Sequence, residues 1–257
     1  MHRVRALLGV LALAALWAPP AAATLIVNPP LPVTHQVTVQ LIQTTDDDGT
    51  DPATVFGNAA QRAAIESSVD VIWAQAGIDI LFLPVVTVWN DTFARIGTPG
   101  NNNPRPGIGD LSQIGLDAWV AGVLNPDPGV LNAFFVEIVP GLSQLGENAA
   151  AGFAWIGGNG IAQYVGDNLL GFANGLDVIA AVVAHEIAHN LGLPHLQVDE
   201  NLMATTAARG ERLDAAQISS VLASPFAMPI PEPALLALLG APLLGLAWRY
   251  GPGSPRT

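Results

Sequence analysis

Between residues 35 and 44 (HQVTVQLIQT) apolar and polar positions alternate in a run rich in Val and Ile, which predicts a first β-strand. The Pro-rich residues before it, 24–32, read as an extended lead-in. From 58 to 76 the apolar positions recur at helical spacing and stop at Gly77, a residue suited to a helix C-terminus. Residues 78–85 then read as a buried strand, and helix followed by strand is the crossover unit of a mixed α/β layer. Residues 97–109 (GTPGNNNPRPGIG) are nearly all turn formers and predict a long surface loop. Strands are expected again at 131–139 and within 152–165. Residues 177–191 form an apolar run with no internal Gly or Pro, long enough for about four helical turns, with Asp177 placed to cap its start. After a short connection at 209–211, Asp214-Ala215-Ala216-Gln217 has the cap-and-return pattern that opens a last helix. That helix runs to about Leu222, packs behind the long one, and ends the domain near Pro225. The fold class is α/β (α+β) in one domain, residues 24–226, because 257 residues suffice for one sizeable core but not for two large ones.

Composition narrows the partners. Acidic residues outnumber basic ones by 21 to 9, every basic residue is Arg, and the formal net charge is -12. That balance disfavours nucleic acid and anionic membrane surfaces as partners of the folded part. The chain contains no Cys, so disulfides and a thiolate-based latency device are excluded. Its 51% hydrophobic content is concentrated at the two ends and in Ala-rich helical stretches. Residues 1–23 open with His2, Arg3 and Arg5, continue through a short apolar run and close on Ala21-Ala22-Ala23, the arrangement of a secretory signal cut before Thr24. An uncleaved anchor is the alternative, with an apolar run short for a span. At the other end, residues 227–257 hold Pro231-Glu232-Pro233, the apolar stretch 234–248 and then Arg249. Fifteen apolar residues with a Pro inside are thin for a permanent span but suit transient membrane contact, with Arg249 on the cytoplasmic side.

The chemistry lies at the end of the long helix. His185-Glu186-Ile187-Ala188-His189-Asn190-Leu191-Gly192-Leu193-Pro194-His195 reads H-E-x-x-H-x-x-G-x-x-H. His185 and His189 stand one turn apart on one helix face, where two imidazoles can reach one Zn2+ at about 2.0–2.1 Å. Glu186 follows the first of them and so points beside the metal, where it can hold a water as general base. Gly192 supplies the left-handed residue that ends the helix, Pro194 keeps the helix from resuming, and His195 can swing back as third ligand. Three protein ligands leave a fourth position for water, the hallmark of a catalytic site. Chance spacing on an apolar helix is the competing explanation. It weakens because the chain has five histidines, His2 lies in a removable segment, and three of the other four fall in this motif.

These residues resemble the metzincin clan of zinc metallopeptidases. The resemblance implies a zincin domain with a mixed, mostly parallel twisted sheet, an active-site helix and a C-terminal helix. It also implies a methionine turn under the metal, for which Asn201-Leu202-Met203-Ala204 is the candidate, Met203 standing eight residues after His195 as in matrixins. Met203 as ordinary core filler is the alternative. Leu196 does not match the residue several metzincin families carry after the third His, which leaves the family within the clan open. In the clan, the strand nearest the active-site helix is an edge that runs antiparallel to bound substrate. The backbone around Ala154, Trp155, Ile156 and Gly157 is the corresponding substrate-binding candidate, unless a bulged hairpin there is covered by residues 171–175. Tyr164 and Tyr250 are the only tyrosines, and neither follows the methionine turn within the domain to stabilise an oxyanion as in astacin-like relatives. The C-terminal pattern resembles the PEP-CTERM sorting signal, which implies an exosortase-type processing enzyme, export, and a Gram-negative cell surface or matrix; an ordinary anchor or a packed helix is the alternative.

The activity expected is hydrolysis of peptide bonds by a secreted endopeptidase, with Glu186 as general base. Two rivals remain: a non-catalytic surface or exopolysaccharide-matrix binding protein on the same scaffold, and a zinc hydrolase of other amides. Ca2+ is a further possibility at Asp46-Asp47-Asp48-Gly49-Thr50-Asp51, four carboxylates in six residues. They lack the pattern of an EF-hand loop, and a solvated acidic turn is the simpler account.

Overall fold

The computed structural model describes residues 25–89, 95–96, 122–138, 150–172, 174–204 and 210–231. The signal-like segment 1–23, the loop expected at 97–109 and the apolar stretch 234–248 lie outside them. The chain begins with β1 (His35–Thr45) and passes through α1 (Ala59–Ala74) to β2 (Ile78–Phe82) and β3 (Val86–Trp89). It continues through β4 (Arg95–Ile96), β5 (Val130–Phe135), β6 (Glu137–Ile138), β7 (Ala150–Ala154) and β8 (Ile161–Val165). A 3-10 turn (Asp167–Gly171) leads into α2 (Gly175–Asn190), followed by α3 (Ala215–Leu222) and β9 (Met228–Pro229).

The main sheet is ordered β2-β1-β5-β8-β7, with β3 and β9 also pairing β1. β1 is parallel to β2, β3 and β5, and β5 is parallel to β8, whereas β7 runs antiparallel to β8 and, among the described residues, forms the edge. The expected mixed, mostly parallel sheet, with the long helix that carries the histidines and a C-terminal helix, is what the chain adopts. Alternation along the strands divides the core. Val37, Val39, Leu41, Leu131, Ile161 and Val165 face α1 and α2, packing with Ile65, Trp73, Ile179 and Ile187. Ile42, Phe134, Ala162 and Tyr164 form a smaller cluster on the opposite face, which places Tyr164 away from the helix that carries the histidines.

Local chemistry explains the element ends. Asn58 caps α1 by accepting from the backbone of Ala60 and Gln61, while the Gln61 side chain accepts from Asn58 N at 2.8 Å. Such a box contributes about 1 kcal/mol. Gly77 lies just past the helix in the left-handed region (φ 67). The strand expected over 78–85 stops at Phe82, and a second strand begins at Val86. Leu83 N still donates to Val39 O (2.9 Å), but Pro84 has no N–H, so pairing stops there and resumes with β3. The strand expected over 131–139 is likewise divided at Val136: its N–H still donates to Gln163 O (2.9 Å) as the last rung of the β5–β8 ladder, and β6 beyond it pairs β4 instead.

The long helix also differs from expectation at its start. Asp177 does not cap it: α2 begins at Gly175 after Asn174, and Asp177 lies inside the first turn. There its Oδ1 accepts from Ser68 Oγ at 2.9 Å and ties α2 to α1, while its charge still suits the positive helix end. The acidic turn at 46–51 is closed locally, with Asp48 Oδ1 accepting from both Thr50 N (2.9 Å) and Thr50 Oγ1 (2.6 Å). Among the described residues it gathers no set of three metal-ligating side chains, and calcium there is not supported.

Candidate metal centre

The C-terminal half of α2 delivers His185, Glu186 and His189, all about 5% exposed or less, and the helix then stops in a turn that brings His195 back. Gly192, at φ 103, makes that turn possible. Its N–H donates to His189 O (2.9 Å) and Leu193 N donates to Ala188 O (3.0 Å), the two bonds of a Schellman motif. Leu193 then packs in the same core as Ala188.

The three rings converge. Each offers a nitrogen within 4.8 Å of the others, and this is the one such group among the described residues. His189 Nε2 and His195 Nε2 are 3.2 Å apart. Two nitrogens bound tetrahedrally at about 2.0–2.1 Å to one zinc would be separated by about 3.3–3.4 Å, so the spacing fits one shared ion. The tautomers fit as well. His185 Nδ1 lies 2.6 Å from Leu202 O and His189 Nδ1 lies 2.7 Å from Leu193 O. A carbonyl only accepts, so both Nδ1 atoms carry the proton, and in the neutral rings both Nε2 atoms keep a lone pair for a metal. The exposed His195 forms the solvent side of a site whose other two rings lie in the protein.

Each carbonyl has its own support. Leu193 O is placed by the Gly192 turn. Leu202 O belongs to the turn Asn201-Leu202-Met203-Ala204, closed by Ala204 N donating to Asn201 O at 3.1 Å. Met203 is fully buried beneath the histidines' segment, its N–H donating to Asn201 Oδ1 (2.9 Å) and its carbonyl accepting from Leu196 N (3.0 Å). Residues 201–204, the candidate for a methionine turn, thus form a turn, and its Leu202 carbonyl orients the first histidine. Behind it, Asn201 and Gln217 exchange two side-chain bonds of 2.9 and 3.1 Å. Gln217 also closes the capping box of α3 by accepting from Asp214 N, so the last helix is coupled to the metal centre. Asn201→Ala leaves the buried Gln217 amide without those bonds, a cost of about 1–3 kcal/mol. The turn that Asn201 holds presents Leu202 O to His185, so zinc affinity should fall as well, by at most the about 10–100-fold that loss of a ligand's direct partner costs. Thermal denaturation and zinc titration of Asn201→Ala check both effects.

Of the expected substrate-binding residues, Ala154 is the last residue of β7 and Trp155, Ile156 and Gly157 lie in the turn to β8. The turn is tied to the end of α2: Gly157 N donates to His189 O (2.8 Å) and Asn190 Nδ2 donates to Trp155 O (2.9 Å) and Gly160 O (3.1 Å). Several backbone groups of 155–157 are thus engaged within the protein, and the edge of the sheet is β7 itself. Ile156 is 59% exposed at the tip. Two residues of this region do not stand out in the sequence. Gly152 in β7 lies against Glu186, and the buried Gln163 stands opposite it in the ladder. An isolated Gly inside a strand is a signal of close approach, and at Gly152 that is the one signal the sequence carries.

No protein-family model matches the chain, and no curated protein matches it. Among solved structures it is similar to metalloproteinase-II from Bacteroides fragilis, at 15% identity and a TM-score of 0.46 over 80% of this chain and 58% of that one. The match thus spans a little over half of the Bacteroides protein. The chain is also similar to an archaemetzincin from Archaeoglobus fulgidus complexed with malonate, at 17% identity, TM-score 0.41, and 72% and 99% coverage of the two chains. A zinc-dependent peptidase from Methanocorpusculum labreanum is similar at 10% identity, TM-score 0.47, and 71% and 99% coverage. These likenesses are distant, and the chemistry of the site rests on the geometry of the three histidines.

Proposed function

We propose that the chain is an exported zinc endopeptidase. The observation that carries this is the pair of Nδ1-to-carbonyl bonds at His185 and His189, which orients two Nε2 lone pairs toward a third imidazole. A zinc ion held there would supply Lewis-acid chemistry, polarising a carbonyl and acidifying a water. Glu186, next to the first ligand and buried, takes the proton from the attacking water and passes it to the leaving amine. An extended substrate lies along the edge of β7, near Ala154 to Gly157, adding a strand to the sheet. Casein and a peptide library, assayed with the purified protein with and without a chelator, provide the test. Chelator-sensitive cleavage of peptide bonds supports the proposal. Its absence favours a non-catalytic binding protein, and cleavage confined to other amides favours the second rival.

Export belongs to the same proposal. Residues 1–23 act as a cleaved signal, and residues 227–257 act as a PEP-CTERM-type signal that touches the membrane through 234–248 and is handled by an exosortase-type enzyme. By mass spectrometry, the protein exported by its native host is expected to begin at Thr24 and to lack the apolar C-terminal stretch. Recovery of the intact C-terminal peptide would refute the sorting signal.

A further inference from the structure

Gly152 sits in the middle of β7, opposite Gln163 of β8. Alternation puts it on the same face as Ala154, which packs in the core shared with α2, and opposite to Phe153, which packs in the far cluster. The Glu186 side chain occupies the space that a side chain at 152 would need. A methyl group there would overlap Glu186 Cγ and lie 2.6 Å from Cδ and 2.7 Å from Oε1. Every residue other than Gly carries that carbon.

The strand has little room to retreat. Its five residues are in register with β8, and the hairpin is fastened to the end of α2 by Gly157 N on His189 O and by the fully buried Asn190 on Trp155 O and Gly160 O. The side that can yield is the carboxylate, the far end of a side chain with rotatable bonds. We infer that Gly152 is a positioning residue: the absence of a side chain in mid-β7 sets where the Glu186 carboxylate rests beside the three histidines. This rests on the proposed function and deepens it, since the strand that seats the carboxylate is the edge strand assigned to substrate. Geometry of the acid-base group and geometry of the substrate are thereby referred to one piece of backbone. A displacement of about 1 Å at a reacting group can lower turnover by about 100-fold.

The experiment uses the full-length chain with Gly152→Ala, Glu186→Ala and the double variant. Gly152→Ala is expected to bind one zinc as wild type does, to keep KM within about twofold, and to lose about 10–100-fold in kcat on a peptide cleaved by wild type. A merely structural role would lower zinc content and melting temperature without splitting kcat from KM. A second readout needs no activity. The melting-temperature loss caused by Gly152→Ala should largely disappear in the Glu186→Ala background, where the overlapping atoms are gone. If Gly152→Ala fails to fold, a double variant that folds supports the inference and one that does not overturns it. Wild-type kcat in Gly152→Ala, or an equal melting loss in both backgrounds, overturns it while the peptidase reading stands. A wild-type protein with no chelator-sensitive cleavage overturns the peptidase reading, and with it the catalytic role of Gly152, even where the melting coupling is observed.

Discussion

Glu186→Gln is expected to fold like the wild type, to bind a full equivalent of zinc, and to lose at least about 10²–10⁴-fold in turnover, the range a positioned acid-base group contributes. The reasoning is one of shape and protons. Gln has nearly the same volume as Glu, so the packing against Gly152 is preserved and no cavity opens in a region where the neighbouring His185 and His189 are buried. The ring of His185 is held by Leu202 O and that of His189 by Leu193 O, and neither bond involves residue 186. What is lost is an oxygen able to take a proton from water and return it to an amine. Metal analysis and steady-state turnover on one peptide, run side by side, separate the two functions. Unchanged turnover would remove Glu186 from the chemistry, and lost zinc would make it a structural partner of the site.

The parts of the site legible in the sequence are those set by local spacing. His185 and His189 share a face because they are four residues apart in a helix, Gly192 ends that helix because the turn needs a positive φ, and Asp214 and Gln217 form a box because they are three apart. The first strand is legible for a similar reason, the period of two along 35–44. What spacing does not encode is which backbone groups meet across the fold. The carbonyls that fix the two ring tautomers belong to Leu193 and Leu202, and a carbonyl is the same at every residue, so no side chain announces it. Gln217 is readable as a cap but not as the partner of Asn201, sixteen residues away and brought near only when α3 packs behind the site. Asp177 shows the opposite failure: its type suits a cap, but the helix starts earlier and Ser68 on α1 claims its carboxylate. Gly152 lies between these cases, since its type signals close approach while its partner is known only from the packing of α2 on β7.

Removal of one ligand has an effect of similar size on metal binding and a different effect on folding. His189→Ala is expected to weaken zinc binding by more than about 100-fold, beyond the loss of a partner behind a ligand, and to abolish peptidase activity. It should not unfold the protein. Zinc fingers collapse without metal because the ion is their core, whereas here Val37, Leu41, Trp73, Leu131, Ile161 and Ile187 are buried in a core that is independent of any ion. Stability then depends on zinc by mass action alone. Free zinc at about a thousand times its dissociation constant adds about 4 kcal/mol, which for a domain of this size raises the melting temperature by about 8–16 °C. Differential scanning calorimetry should show that rise in the wild type, its reversal by a chelator, and its reduction in His189→Ala to about 1.4 kcal/mol or less, about 3–6 °C at most, since a 100-fold weaker site is then only about tenfold above its dissociation constant. The variant should also melt somewhat below the zinc-free wild type, because Leu193 O loses the donor that Nδ1 supplied across the Gly192 turn. A protein that unfolds on chelation, or a variant that keeps the zinc-dependent rise, would contradict the assignment of a catalytic ion bound at the surface of a self-sufficient fold.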